Sequence, residues 1–148
     1  MNGLQSSDSK QAYECLKQLE NESNNSAAVY KFFDTFTEML NSQNLFVRTR
    51  GIVLIAANSK WDEDNKIDEI IDRYLKRITD AKPITARQCI KVLPIIAKYK
   101  PELRREIESA LCHANAEIYK ESMRALVRSD IQKALSDTRN LLSPHNNL

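Results

Sequence analysis

Apolar residues recur along this chain every three or four positions, in several stretches that are separated by short polar runs. One stretch carries Ile67, Ile70, Ile71 and Tyr74, and another carries Ala86, Ile90, Leu93 and Ala97. This spacing places the apolar side chains on one face of an α-helix, which is the pattern of an amphipathic helix packed on a core. The pattern therefore predicts an all-α protein.

Polar runs and capping residues divide the pattern into separate elements. The predicted ranges are 8–22 for an N-terminal cap helix, 26–58 for a first helical hairpin, 64–99 for a second, 101–128 for a third, 130–142 for a C-terminal helix and 143–148 for a tail. Ser7 or Ser9 is expected to cap the first helix, and Asp64 or Asn65 to cap the first helix of the second hairpin. Pro94 lies inside a predicted helix and is expected to kink it.

The second helix of each hairpin opens in the same way, with a basic residue after an apolar or aromatic one. The three pairs are Val47-Arg48, Ala86-Arg87 and Tyr119-Lys120. The intervals between the basic residues, 39 and 33, fall in the range of HEAT and armadillo repeats. This repeat predicts a short right-handed α-solenoid of about three HEAT-like hairpins with a capping helix at each end. Gly51 stands where the equivalent residues are Ile90 and Met123, so its helix is expected to approach a neighbour closely.

Composition narrows the class of protein further. The chain has 148 residues with 42% hydrophobic content, which suits a single domain spanning 1–148, and only two glycines. No stretch approaches the roughly 18 apolar residues of a membrane span, and the first ten residues lack the apolar core of a secretory signal. We therefore expect a cytoplasmic protein. The three cysteines are odd in number and widely spaced, which favours reduced thiols over disulfides.

Groups that could perform catalysis or hold a metal are few. The only histidines are His113 and His145. The adjacent pair Cys112-His113 points in directions about 100° apart on a helix, which suits chelation poorly, so a buried Cys112 beside a surface His113 is expected. The acidic cluster at residues 62–64 and 68 fits the start of a helix better than a calcium loop. The sequence predicts no catalytic, cofactor-binding or metal-binding residues.

The remaining candidates form a basic row on the second helices, together with one tryptophan. These candidate partner-binding residues are Arg48, Arg87, Lys91, Lys120, Arg124 and Trp61. Packing between repeats is the alternative for the arginines, because their aliphatic stems can pack while their heads pair with acids. Trp61 is either an exposed contact residue or an anchor that holds its loop on the preceding hairpin. Residues 1–47 carry three Lys and Arg against six Asp and Glu, and residues 82–148 carry twelve against seven.

Several segments resemble a known family. These are FFDTFTEML (32–40), NLFVRTRG (44–51), Trp61-Asp62 with KIDEIID (66–72), KPITARQCIKVLP (82–94), YKPEL (99–103) and YKESM (119–123). Over roughly residues 28 to 135 the chain resembles small bacterial HEAT-like proteins often catalogued as "SufBD". The resemblance implies a HEAT-like fold. It implies no particular activity, because none is established for the family. The family's label is taken from the name of iron–sulfur scaffold proteins. HEAT repeats commonly have an Asp six residues before the arginine, whereas this chain has Ser42, Ala81 and Ala114 at those places.

Two functions of different class follow as hypotheses. The first is a non-catalytic protein-interaction scaffold or adaptor, in which the concave face binds an unidentified protein or an acidic peptide. The alternative is nucleic-acid binding through a basic concave surface, similar to the HEAT-like DNA alkylation repair glycosylases. A role in iron–sulfur cluster assembly is a third, weaker possibility that comes only from the family label. We expect no membrane contact and a monomer or weak homodimer.

Overall fold

A computed structural model describes residues 2–141 of the chain, without the side chains of residues 2 and 5. This range folds into seven α-helices and contains no strand. The helices are α1 (Ser9–Asn25), α2 (Phe33–Met39), α3 (Leu45–Ala57), α4 (Lys66–Leu75), α5 (Pro83–Tyr99), α6 (Arg104–His113) and α7 (Glu121–Asn140). Short 3-10 segments lie at Asn2–Gln5, Tyr30–Phe32, Ser59–Trp61, Lys76–Thr79, Pro101–Leu103 and Ala116–Ile118. The prediction of an all-α protein is confirmed for the described residues.

Contacts within the chain define two compact units whose boundary falls between Ile70 and Ile71, inside α4. The core of the first unit includes the fully buried Phe33, Phe36, Ile52, Leu54, Ile55 and Ile67. The core of the second unit includes the buried Tyr74, Ile90, Leu93, Ile96, Ile107 and Val127. Among the described residues, no helix combines the length and apolarity that crossing a bilayer requires.

The start of α1 is capped by a residue other than those predicted. The carboxylate of Asp8 accepts hydrogen bonds from the backbone N–H groups of Lys10 and Gln11, so the predicted caps at Ser7 or Ser9 are wrong. At the start of α4, the side chain of Asp62 accepts hydrogen bonds from the N–H groups of Lys66 and Ile67. Asn65, one of the two residues predicted as the cap of this helix, immediately precedes α4 with a left-handed φ of 57°, and its carbonyl accepts a hydrogen bond from the N–H of Glu69.

The boundaries of the first two helices also differ from the prediction. Helix α1 continues to Asn25 instead of ending at 22, because Ser23 and Asn25 donate hydrogen bonds to the carbonyls of Leu19 and Asn21 on their own helix. Polar residues that bond back in this way do not end a helix. The first hairpin opens later than predicted, with the 3-10 turn Tyr30–Phe32 leading directly into α2.

Helix α7 is continuous from Glu121 to Asn140. The predicted division into a third hairpin ending at 128 and a separate helix over 130–142 is therefore wrong. Ser129 and Asp130 resemble a helix start in the sequence, but no glycine or proline interrupts 121–140. The side chain of Asp130 bonds to Arg87 and not to the amides of its own helix. The last predicted residue, 142, and the predicted tail 143–148 lie outside the described residues.

Within each unit, one pair of helices runs in the same direction. In the first unit, Arg50 of α3 bonds to the Leu4 carbonyl just before α1, while Asn58 at the end of α3 bonds to Ser23 near the end of α1. In the second unit, Arg87 of α5 pairs with Asp130 of α7. One turn later, Lys91 shares a cleft with Ala134 of α7. Parallel neighbours of this kind are separated in sequence by a helix that runs in between, as in stacked hairpins.

Gly51 allows α3 to approach α2 closely. A Cβ added at Gly51 would lie 2.8 Å from the Phe36 carbonyl oxygen and 2.9 Å from Cβ of Met39. Both distances are shorter than van der Waals contact, so any side chain would push the two helices apart. The expected close approach is confirmed.

Candidate binding face

Arg48 and Arg124 close the turns that precede their own helices. Arg48 is the fourth residue of α3, and its Nη1 donates to the carbonyls of Ser42 at 2.9 Å and Gln43 at 3.2 Å. Arg124 is the fourth residue of α7, and its Nη2 donates to the Tyr119 carbonyl at 3.1 Å. Arg48 is also buried. The packing alternative for these two arginines thus matches the contacts that they make.

Lys120 does not occupy the position that the repeat assigns to it. It lies before the first residue of α7 with extended backbone, and its side chain is exposed. The chain is held extended at Tyr119, whose buried hydroxyl donates to the backbone carbonyl of Asp80. Lys120 is therefore not the counterpart of Arg48, and the predicted alignment is wrong at this repeat. Arg124 is the counterpart, because both arginines are the fourth residue of a helix and bond back to the preceding turn.

Glu117 neutralises the far end of the predicted basic row. Its carboxylate forms an ion pair with Arg124 at 3.5 Å and a second ion pair with Arg128. Because one acid serves two arginines, this end of the row presents less positive charge to a ligand than the sequence alone indicates.

Arg87 is held by an acid on the neighbouring helix. Its Nε donates to Oδ2 of Asp130 at 2.6 Å, and the two side chains are 27% and 12% exposed. This hydrogen bond raises the pKa of Arg87 above its ordinary value, so the guanidinium stays charged. Arg87 thus joins α5 to α7 and does not stand free for a partner.

Trp61 fastens the loop between α3 and α4 to α1. Its indole Nε1 donates to the Ser23 carbonyl at 2.7 Å, and the Ser23 hydroxyl accepts from Nδ2 of Asn58. The side chain is half-buried. These bonds correspond to the anchoring role, which was one of the two predicted for this residue.

Lys91 differs from the other candidates because it lines an open cleft. The cleft has a volume of about 270 Å³ and is bounded by Lys91 of α5 and by Asp130, Lys133, Ala134 and Asp137 of α7. Within the cleft, Asp130 pairs with Arg87 and Asp137 pairs with Lys133 at 3.2 Å. Lys91 is exposed and has no ion-pair partner among residues 2–141.

Large exposed apolar side chains lie along the two helices that line this cleft. Ile84 and Ile95 lie seven residues before and four residues after Lys91, and therefore on the same face of α5. They are 53% and 42% exposed. On α7, Leu126 lies four residues before Asp130 and is 42% exposed. We call this set of apolar and charged side chains the α5–α7 face: Ile84, Lys91, Ile95, Leu126, Asp130, Lys133 and Asp137.

Sequence patterns identified only one residue of this face, Lys91. Ile84 and Ile95 fall on the side of α5 opposite the buried stripe of Ala86, Ile90 and Leu93. Two apolar residues on the side of a helix that faces water indicate an exposed apolar surface, and this signal is present in the sequence. The predicted break between 128 and 130 hid the common register of Leu126 with Asp130 and Lys133 on the continuous helix α7.

Charge divides unevenly between the two units. Residues 1–70 carry seven Lys and Arg against eleven Asp and Glu, a formal net charge of −4, whereas residues 71–148 carry fifteen against nine, a net charge of +6. The α5–α7 face belongs to the positive unit. A field of this sign favours the approach of acidic partners.

A second concavity of about 340 Å³ lies between the end of the Lys76–Thr79 turn and the end of α6. Ile78, Ala110, His113 and Ile118 are among its lining residues. Ile118 is 54% exposed, and His113 bonds to the Ser109 carbonyl through Nδ1. This groove is larger than the cleft at Lys91, and none of the described residues that line it is a Lys, Arg, Asp or Glu.

The cysteines lie in three different environments. Cys89 is buried, Cys15 is half-buried and Cys112 is exposed, so the expected burial of Cys112 is wrong. Cys112 lies on the outer side of α6, where Arg139 donates to its Sγ at 3.4 Å. Within residues 2–141, no group of three His, Cys, Asp or Glu side chains converges as a metal ion would require.

Comparisons with protein-family models, with curated proteins and with solved structures found no match to this chain. The function is therefore inferred from the residues and geometry described above.

Proposed function

We propose that this chain is a HEAT-like α-solenoid that serves as a non-catalytic protein-interaction scaffold or adaptor, and that it binds its partner on the α5–α7 face. The parallel pairing of α5 with α7 supports the solenoid, because these are the second helices of two successive hairpins and such helices run parallel when hairpins stack. The resemblance to the small bacterial HEAT-like proteins supports the same arrangement.

The observation that carries the proposal is the composition of the α5–α7 face. Three large apolar side chains, Ile84, Ile95 and Leu126, are about half exposed on the two helices that line the cleft. The cleft contains Lys91, which has no ion-pair partner within the described range 2–141. Exposed apolar side chains grouped with a cationic cleft are typical of protein contact surfaces, since contact removes the apolar area from water.

Nucleic-acid binding is supported less well by these contacts. A phosphate backbone requires several open cations, but Arg48 and Arg87 are committed to contacts within the chain and Glu117 pairs with Arg124. The cleft at Lys91 also contains two carboxylates, which would repel phosphates. We therefore propose a protein or peptide partner, bound by a monomer or weak homodimer in the cytoplasm.

Site-specific photo-crosslinking tests this proposal. A photoreactive phenylalanine analogue is placed at Ile95, and separately at Tyr13 as a matched control. Both positions carry large exposed side chains on helices, but Tyr13 lies on α1 and belongs to the first unit. Each variant is irradiated in lysate of the source cells, and cross-linked products are identified by mass spectrometry.

The proposal predicts a discrete protein adduct at position 95 that is missing at position 13 and is lost when Ile84, on the same face of α5, is changed to Asp. Nucleic-acid adducts at 95 would promote the alternative function. The same adducts at both positions, or an adduct that persists in Ile84→Asp, would contradict binding on the α5–α7 face.

A further inference from the structure

We infer that the cleft at Lys91 anchors a single carboxylate, so that the partner contributes an Asp or Glu side chain flanked by apolar residues. This inference rests on the proposed function, because it assigns a chemistry to the partner that is proposed to occupy the α5–α7 face.

The two acidic side chains that line the cleft both form ion pairs within the protein. Asp130 is bonded to Arg87 at 2.6 Å, and Asp137 is paired with Lys133 at 3.2 Å. Each acid that lines the cleft therefore has a basic partner, and Lys91 is the remaining cation. One uncompensated positive charge in a concave site fits one carboxylate, which would form a charge-assisted hydrogen bond with Nζ of Lys91.

The size of the cleft suits a small group. Its volume of about 270 Å³ is just below the range of about 300–1,000 Å³ that is usual for small-molecule sites. A cleft of this size suits the end of one side chain from a longer segment that continues along the face.

The apolar side chains along α5 constrain the partner further. Ile84 is about 10 Å from Lys91 along the helix axis, and Ile95 is about 6 Å away in the other direction, at about 1.5 Å per residue. An extended segment advances about 3.3 Å per residue, and only side chains at even spacings face the same side. The matching partner therefore has an acidic residue with one apolar residue two positions away on the Ile95 side and another two to four positions away on the Ile84 side.

A phosphate fits the cleft less well than a carboxylate. Phosphate groups carry between one and two negative charges at neutral pH, and two aspartates line the same small cleft. A group with a single negative charge gains the attraction of Lys91 with less repulsion from Asp130 and Asp137.

Selection of peptides on the full chain tests this inference. A display library of random peptides is panned on the wild-type protein and on three variants that circular dichroism shows to be helical. Lys91→Glu reverses the charge of the cleft, and Ile95→Asp disrupts the apolar part of the face. Lys98→Glu is the matched control, because Lys98 is an exposed lysine on the same side of α5 that does not line the cleft.

We expect the wild type and Lys98→Glu to enrich peptides with an acidic residue between apolar ones, and Lys91→Glu to enrich peptides with Lys or Arg at that position. Fluorescence anisotropy with the best peptide should show about tenfold weaker binding when its acidic residue is replaced by the corresponding amide.

Other results separate the inference from the proposed function. Peptides that are lost with Ile95→Asp but bind Lys91→Glu equally well would overturn the carboxylate site while supporting the face. Peptides that bind all variants equally would overturn both. If no peptide is enriched, the carboxylate inference is wrong, and the proposed function is decided by the cross-link at position 95.

Discussion

The carboxylate of Asp130 accepts a hydrogen bond from Nε of Arg87 at 2.6 Å and thereby joins two helices that run in the same direction. The two residues are 43 positions apart in sequence. One turn further along α5, Lys91 lies in the cleft between the same helices without an ion-pair partner among residues 2–141. Two basic residues of similar appearance in the sequence thus have different roles, because Arg87 holds the face together and Lys91 is available to a partner.

The Arg87–Asp130 pair should contribute measurably to stability. A double-mutant cycle with Arg87→Ala and Asp130→Ala is expected to give a coupling energy of about 1–2 kcal/mol, because both side chains are partly shielded from water. Urea unfolding followed by circular dichroism measures it. The exposed pair Lys133–Asp137 is the control and should give about 0.3–0.5 kcal/mol. Equal coupling in the two pairs would contradict the difference in burial.

The continuity of α7 predicts the sign of a single substitution. Ser129 is an exposed residue in the middle of the helix, so Ser129→Ala should stabilise the protein by about 0.5 kcal/mol through helix propensity. If a new helix began at this point and Ser129 were its cap, the same change would cost about 1 kcal/mol. The free energy of unfolding in urea distinguishes the two, with Ser136→Ala on the same helix as a control that should also stabilise.

The hydroxyl of Tyr119 should stabilise the second unit. Its hydrogen bond to the Asp80 carbonyl is buried, so Tyr119→Phe is expected to lower the free energy of unfolding by about 1–3 kcal/mol at pH 8. Tyr13→Phe, at an exposed position, should change it by less than about 0.5 kcal/mol. A loss of similar size in both variants would show that the bond to Asp80 contributes nothing specific.

The same residue makes stability depend on alkaline pH. Burial, with a smaller contribution from nearby Asp80, raises the pKa of Tyr119 to about 12, whereas an unfolded tyrosine ionises near pH 10. Because the folded pKa is the higher one, this stabilisation is complete below pH 10 and is lost as the pH rises through 12. The difference between wild type and Tyr119→Phe should shrink by roughly 1.4 kcal/mol between pH 8 and pH 11. A difference that stays constant would contradict the raised pKa.

Gly51 should not tolerate a methyl group. Gly51→Ala gains about 1 kcal/mol in helix propensity, but its Cβ would meet the Phe36 carbonyl and Cβ of Met39 at less than 3 Å. The expected net result is a loss of about 1–2 kcal/mol from overpacking, measured by thermal or urea unfolding. Gly3→Ala is the control, because its Cβ would lie 3.2 Å from Cβ of Cys15 and should cost less. A stabilised Gly51→Ala variant would show that α2 can move away from α3.

Helices could be predicted from this sequence because their information is local. The stripe Ile67, Ile70, Ile71 and Tyr74 is buried along α4, and Pro83 opens α5 as expected of a residue whose missing N–H is harmless in the first turn. Boundaries were predicted less well, because capping depends on which acceptor reaches the free amides. Asp62 caps α4 from four residues upstream, over a turn whose left-handed residue the sequence does not reveal.

The candidate site was predicted less well because it depends on contacts between residues distant in sequence. Arg48, Arg87 and Lys120 fall at regular intervals, but Arg48 is buried against its own turn, Arg87 pairs with an acid 43 residues away and Lys120 lies outside its helix. Spacing identifies residues that share a helix face, whereas only the neighbouring helix decides which cations are neutralised. Lys91 differs from Arg87, on the same helix, because Asp130 of α7 forms its ion pair with Arg87.

Affinity purification of surface variants tests the central claim most directly. Tagged wild type, Ile95→Asp and Tyr13→Asp are used to capture partners from native lysate at physiological salt, after circular dichroism confirms equal helicity. Tyr13 is a matched control because it is a large exposed side chain on α1. Binding on the α5–α7 face predicts a protein that is retained by the wild type and Tyr13→Asp and lost by Ile95→Asp. An identical set of partners from all three proteins would contradict it, and salt-sensitive capture of nucleic acid alone would favour the alternative function.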